Sequence, residues 1–363
     1  MPSMAQHPFE QHPFEQHPSG QHQFEQRPAG GPTRLLDVAN AAGVSLRTAS
    51  RVLNDDPRVA PATRQRVQAA MLDLRFEPDA MARSLRAGTD TTIGFVVESI
   101  SDPFFAEVID AVELEMSRHG RSVLVTSTRR DPAWERDAIG RMIQRRVAGL
   151  LLCPTVDDHA WLDPRGPRGP RVPVVLVDRP APGLSADLVE IDDHRAAFGA
   201  VAHLIAHGHR RIAYIGDTPA IPTSGARLRG YRDALARHQV ETDENLVNTT
   251  SPTSRAAADA VSALLGGSRP PTAILSATTR ASLGVVPALH SAGRTDIGLV
   301  SFGDFPMADS LRPAVTVVDH PGREVGRVAA ARLLARLDQP GLPVQRIGVP
   351  ARLIERGSGE QRP

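Results

Sequence analysis

Arg47 and Arg51 stand four residues apart. On a helix that spacing places both guanidinium groups on one face. A guanidinium can donate two parallel hydrogen bonds to O6 and N7 of guanine in the major groove of DNA. Thr48 and Ser50 carry small hydroxyls suited to phosphate oxygens. The chemistry these residue types offer is nucleic-acid recognition.

The elements that must position them are legible around the pair. In RLLDVANAAGVSLRTASRVLN (34–54), Leu35, Val38, Ala39 and Ala42 recur at helical spacing. Gly43 can end that helix in the left-handed conformation. Val44 plugs the turn, and Ser45 can cap a second helix. That helix turns Ala49, Val52 and Leu53 inward and leaves Leu46, Arg47, Thr48, Ser50 and Arg51 near the open side. The pattern is a helix-turn-helix. On these residues alone, a helical hairpin with merely solvated arginines stays open.

The longer run narrows the choice. DVANAAGVSLRTASRVLN followed by RVAPATRQRVQAAMLDLRFEPDAMARSLR resembles the DNA-binding headpiece of the lactose-repressor (LacI/GalR) family, from Asp37 to Arg86. The resemblance implies that Leu46, Arg47 and Arg51 read bases. Pro61 and Thr63 open a third helix, from about Ala62 to Leu74, and Asp79 can cap a short fourth, Ala80 to Arg86; the resemblance implies that this fourth is a hinge helix whose Ala82 and Leu85 meet the minor groove. Leu85 matches the leucine that wedges between base pairs there. An apolar wedge unstacks a step and kinks the duplex. Seven residues are too few to be helical alone in water, so this hinge is expected to order on DNA or against a partner copy; a plain linker is the alternative.

Bulk properties agree with a soluble regulator. The 363 residues allow two or more domains, with 41% hydrophobic and 23% charged residues and a net charge of +1. All 42 basic residues are Arg, so every cationic contact to phosphate must come from Arg. The single Cys153 excludes an intramolecular disulfide and a cysteine metal cluster, and lies in an apolar run. No run of eighteen apolar residues and no secretory leader is read, which places the protein in the cytoplasm without a membrane partner. Residues 6–30 repeat a QHPFE-like unit, a composition expected to be disordered.

From Thr91 the rhythm alternates strands and helices. Apolar runs at 93–99, 122–128, 149–154 and 172–178 form one series; runs at 211–217, 245–249, 272–278 and 297–304 form another. Continuous apolar strands alternating with helices mean parallel sheets covered on both faces. The fold class expected is α/β: an N-terminal helix-turn-helix headpiece plus two doubly wound parallel-sheet subdomains. The expected divisions are a disordered repeat tail (1–32), the helix-turn-helix domain (33–77), hinge and linker (78–90), and a two-subdomain core for effector binding and dimerisation (91–363).

DPFFAEVIDAVE (102–113), VVLVDR (174–179), AHLIAHGHRRIAYIGD (202–217), RLRGYRDAL (227–235) and DFPMADSLRPAVTVV (304–318) resemble the effector-binding core of the same family, itself related to periplasmic sugar-binding proteins. The resemblance implies three crossings between subdomains, expected near Asp192, His320 and Pro340. It implies effector contacts from Phe104 and Phe105, which can stack on a ring, and from Asp178 and Arg227. A structural ion pair between Asp178 and Arg227 is the bland alternative. Thr278 and Asp304 complete the expected set. Two positions depart from the family pattern: Thr278-Thr279 stands where Asn-Asp is usual, and Gly303 where a first Asp is usual.

Enzyme readings find no support. Without Lys there is no P-loop, and GxGxxG after a strand, HExxH and GxSxG are missing. The cluster His203, His207 and His209 falls in an ordinary family motif rather than a zinc site. The function expected is a homodimeric transcriptional repressor that binds double-stranded DNA at a palindromic operator, with affinity set by a small-molecule effector, a sugar or related metabolite, and no cofactor. The alternatives are a binding receptor of the periplasmic type and a regulator whose pocket has lost its ligand.

Overall fold

The computed structural model describes residues 33–76, 91–166 and 169–363. The chain divides into two compact units, one ending at Arg83 and one beginning at Ser84.

In the first unit, helices α1 (Leu35–Ala41), α2 (Leu46–Leu53) and α3 (Pro61–Asp73) enclose a small core. Val38, Ala39, Ala42, Ala49, Val52, Val67 and Ala70 are its buried side chains. The turn works as its residues dictate. Gly43 takes φ +62°, and the Val44 N–H returns to the Ala39 carbonyl at 3.0 Å. Ser45 Oγ then accepts from the Thr48 N–H at 3.2 Å, capping α2. Pro61 opens α3, where its missing N–H costs nothing. Thr33 Oγ1 donates to the Leu74 carbonyl at 3.1 Å and ties the two ends of the unit together.

The second unit holds two six-stranded sheets. Strands β1 (Ile93–Val97), β2 (Val123–Ser127), β3 (Gly149–Leu152), β4 (Val174–Val177), β5 (Asp187–Ile191) and β11 (Arg346–Val349) make the first, in the order β11-β5-β4-β3-β1-β2. Strands β6 (Ile212–Ile215), β7 (Val247–Asn248), β8 (Ala273–Ser276), β9 (Gly298–Phe302), β10 (Thr316–Asp319) and β12 (Arg352–Ile354) make the second, in the order β12-β10-β9-β8-β6-β7. Both sheets are parallel except for β12, which runs antiparallel to β10. Helices α4 (Pro103–Arg118), α5 (Pro132–Gln144) and α10 (Gly322–Asp338) cover the first sheet; α6 (Asp193–Ala206), α7 (Pro222–Arg237), α8 (Ser254–Leu265) and α9 (Thr279–Ser291) cover the second. The helices pack in pairs at close range. A Cβ at Gly284 of α9 would lie 1.8 Å from the Ser254 carbonyl oxygen of α8, so only glycine permits that approach.

Two of the three expected crossings fall where the sequence placed them: β5 passes to α6 at Asp192, and β10 passes to α10 at His320 and Pro321. The third is corrected. Pro340 lies between α10 and β11, which both belong to the first subdomain, and the chain crosses at Pro350 and Ala351 between β11 and β12. Strands β5, β10, β11 and β12 were not read from sequence. β11 and β12 are short and half-exposed, so they lack the continuous apolar run that marks a central strand.

Candidate nucleic-acid interface and effector cleft

On α2 the burial follows the helical period. Ala49 and Val52 point into the core, Arg47 and Arg51 are exposed, and Thr48 and Ser50 are half-buried. Leu46, at the start of the helix, is 47% exposed, an apolar side chain set in open solvent beside two guanidinium groups. The Thr48 hydroxyl shares a hydrogen bond with Ser45 Oγ at 2.9 Å, so it braces the cap as well as facing outward. Arg51 lies 3.8 Å from Asp56, whose carboxyl is held well below its ordinary range by hydrogen bonds from Arg58. The array offers one apolar and two cationic side chains along one helix face, the composition of a helix that reads base edges. Ala82 and Leu85 of the expected hinge, and the repeat tail, lie outside the described residues.

The second site is a small cavity of about 60 Å³ between the two subdomains, at the carboxyl ends of the strands. Phe104, Phe105, Asp178, Arg227 and Thr278 all line it. Asp304 does not. Its carboxylate accepts from Arg356 at 2.5 and 2.9 Å and from the Phe305 N–H at 2.8 Å, so the effector role expected of it is corrected to a local ion pair. Phe104 and Phe105 are buried at the start of α4, and the Phe104 ring is already stacked on His320 at 3.8 Å and 3°.

Asp178 and Arg227 do not pair with each other. Asp178 accepts from Arg179 Nε at 2.9 Å, and its backbone holds φ +75°, strained for a residue with a side chain. Arg227 donates from Nε to Asp193 at 2.7 Å and from Nη1 to the Ala277 carbonyl at 2.9 Å, with its guanidinium carbon 3.9 Å from the centre of the Phe302 ring. Burial pushes the Asp193 carboxyl up to about 6, against the pull of Arg227.

Sequence reasoning missed much of the wall. Glu98 follows β1 and accepts from Arg179 at 3.1 Å and Arg130 at 2.8 Å. Burial alone would raise its carboxyl, but Arg179, Arg130 and Arg280 together bring it down to about 2. Asp102 caps α4 and faces Arg280 at 2.8 Å; Asp217 follows β6 and faces Arg130 at 2.5 Å. Glu98, Arg179 and Asp217 each sit at or just past the end of an apolar strand, a position that could have flagged them. Arg130 shares that position just past β2, whereas Arg280, inside the first turn of α9, carries no such mark. His320, at the second crossing, is half-buried, its Nε2 withdrawn from solvent and unpartnered among the described residues, and desolvation drops its proton affinity well below the ordinary histidine range.

The departures at 278, 279 and 303 belong together. Gly303 takes φ +96°, and a Cβ there would lie 2.0 Å from Thr279 Oγ1. The threonine hydroxyl occupies the space in which a side chain at 303 would begin. Thr278 caps α9 by accepting from the Ala281 N–H at 3.0 Å. The histidine cluster has ordinary partners: His203 meets Glu360 at 2.6 Å, and His209 meets Thr272 and the Gln361 carbonyl. Among the described residues no group of three His, Cys, Asp or Glu is placed to hold a metal.

A helix-turn-helix domain joined to a two-lobed, parallel-sheet core with a cleft at its strand ends defines a class, the ligand-responsive DNA-binding regulators. Residues 34–79 match the profile of bacterial regulatory proteins of the lacI family, and residues 201–359 match a periplasmic binding protein-like domain. The chain is 34% identical over 314 residues to the HTH-type transcriptional regulator GalR of Escherichia coli (strain K12), covering 85% of this chain and 90% of the relative. It is 32% identical over 325 residues to the ribose operon repressor of the same organism, covering 89% and 98%. Among solved structures, the Lac repressor dimer bound to operator and the anti-inducer ONPF superposes with a TM-score of 0.81 at 25% identity, covering 91% of this chain and 99% of that one. The complex of the transcriptional regulator CelR with cellobiose superposes with a TM-score of 0.66 at 28% identity, covering 90% and 99%. The chain belongs to the lacI family. It is a DNA-binding transcriptional regulator with an effector-binding core.

Proposed function

We propose that this regulator works in the cytoplasm as a homodimeric repressor on a two-fold symmetric operator. Leu46, Arg47 and Arg51 read the major groove, Thr48 and Ser50 hold phosphates, and Ala82 and Leu85 meet the minor groove at the centre of the site. A small neutral polyhydroxyl effector, a sugar or close relative, binds among Phe104, Phe105, Asp178, Arg227 and Thr278 and alters operator affinity by favouring one arrangement of the subdomains.

The observation that carries the effector reading is the charge balance of the cavity wall. Arg130, Arg179, Arg227 and Arg280 line it on one count. Glu98, Asp102, Asp178 and Asp217 match them on the other. A wall with equal numbers of guanidinium and carboxylate groups carries no net charge to favour an ionic ligand of either sign. It presents donors and acceptors side by side, as hydroxyl groups require. The cellobiose bound by CelR and the ribose operon repressor among the relatives support the same class.

Selection on random double-stranded DNA at physiological salt tests the operator reading, and a symmetric motif is the expected result. Thermal-shift screening of neutral and phosphorylated sugars tests the effector reading. Stabilisation confined to phosphorylated compounds would reverse it.

A further inference from the structure

Two arginines span the cleft from opposite sides. Arg130, just past β2 in the first subdomain, reaches Asp217 of the second at 2.5 Å. Arg280, in the first turn of α9 in the second subdomain, reaches Asp102 of the first at 2.8 Å. Both also touch Glu98, Arg130 at 2.8 Å and Arg280 at 3.4 Å, so one carboxylate joins the two bridges.

The surroundings make these pairs more than surface contacts. The Asp217 and Glu98 side chains are 6% and 9% exposed, and the two arginines 31% and 25%. Charges so largely withdrawn from water attract more strongly and are screened less by salt than exposed ones. Arg129 and Arg130 hold φ of +54° and +66°, two consecutive left-handed residues with side chains. Strain of that kind persists where surrounding contacts over-determine it, and the bridges to Asp217 and Glu98 supply those contacts.

We propose that Arg130–Asp217 and Arg280–Asp102, joined through Glu98, form an ionic latch that holds the two subdomains together over the cavity. The pairs are made entirely by the chain, so they favour closure whatever the cavity contains. The balance between closed and open core, on which the effector must act, is therefore set in part by five charged side chains lining the site. The consequence for operator affinity rests on the effector reading above. Closure itself does not, and can be read without ligand or DNA.

The experiment is a distance measurement across the cleft by pulsed electron spin resonance on the full chain. Nitroxides are attached at Ala133→Cys and Arg255→Cys, exposed positions in the first and second subdomains. Cys153 is buried with its thiol pushed well above the ordinary range, so it does not compete for label. Asp217→Asn keeps an acceptor for the Thr218 N–H, and Arg280→Gln removes the second bridge. Each substitution is expected to bring up a longer-distance population, lowering the closed-to-open ratio about ten-fold, the scale of one lost charge-assisted hydrogen bond. High salt should shift the parent protein in the same direction by less. Distance distributions that superimpose on the parent in both variants, with the fold intact by circular dichroism, would overturn the latch and leave the three crossings and apolar packing as the sole determinants. Failure of the DNA selection would remove the regulator reading while leaving the distance result standing.

Discussion

Arg227 Nε sits 2.7 Å from Asp193 Oδ1, and both side chains are buried. Asp193 is the first residue after the first crossing, on α6, and Arg227 belongs to α7. The pair ties the start of the second subdomain to the cavity wall, so the residue expected to hold an effector is also a structural partner.

Acidity should act through this pair. Asp193 has a folded value of about 6, above the 3.8 of the free side chain, because burial disfavours its charge. Between those values the folded state binds more protons than the unfolded one. The resulting stability is fully present below about 3.8 and is lost as pH rises through about 6. Its size is on the order of 2–3 kcal/mol, at 1.36 kcal/mol per pH unit. Urea unfolding between pH 4 and 7 should show this slope, and Asp193→Asn should flatten it.

Arg227→Ala should separate the two roles of the arginine. Loss of a charged hydrogen bond to the ligand is worth about 1.5–3 kcal/mol, so effector affinity should fall roughly ten- to a hundred-fold. Operator binding without effector should persist. Stability should fall as well, because Asp193 is left without its cation. Calorimetric titration with a confirmed effector checks the first effect; an unaltered affinity would leave Arg227 as a structural partner only.

On the DNA face, Arg51→Ala should cost about 1–3 kcal/mol on the selected operator and relax preference at one position in each half-site. Repeating the random-sequence selection with the variant reads both. Leu85→Ala should weaken specific binding and reduce bending while sparing non-specific phosphate contacts. Equal bending by variant and parent would make that segment a linker.

Close helix packing gives a prediction independent of ligands. Gly284→Ala puts a methyl group into the Ser254 carbonyl oxygen, against backbone that cannot turn aside. Overpacking of this kind costs about 1–3 kcal/mol. At Gly140, where an added Cβ meets nothing within 4 Å, the same change should be neutral or stabilising, since alanine favours a helix interior. Parallel thermal melts compare the two.

How much of this was legible depends on the range of the interactions. The headpiece could be read residue by residue because its determinants are local: a glycine at the helix end, a serine cap three residues before its partner, and arginines four apart on one face. The central strands were legible as continuous apolar runs, since a strand covered on both faces buries every side chain, as β1 does. Position within the family pattern brought Phe104, Phe105, Asp178, Arg227 and Thr278 to one cavity. It misplaced Asp304, whose carboxylate was taken by Arg356, fifty-two residues further along the chain. Only the tertiary structure assembled the charged wall. Glu98 and Arg280 are 182 residues apart and carry no mutual signal in sequence. The chain must cross between subdomains before the ends of its strands can face one another, and complementary charges on different strands meet only in that closed geometry.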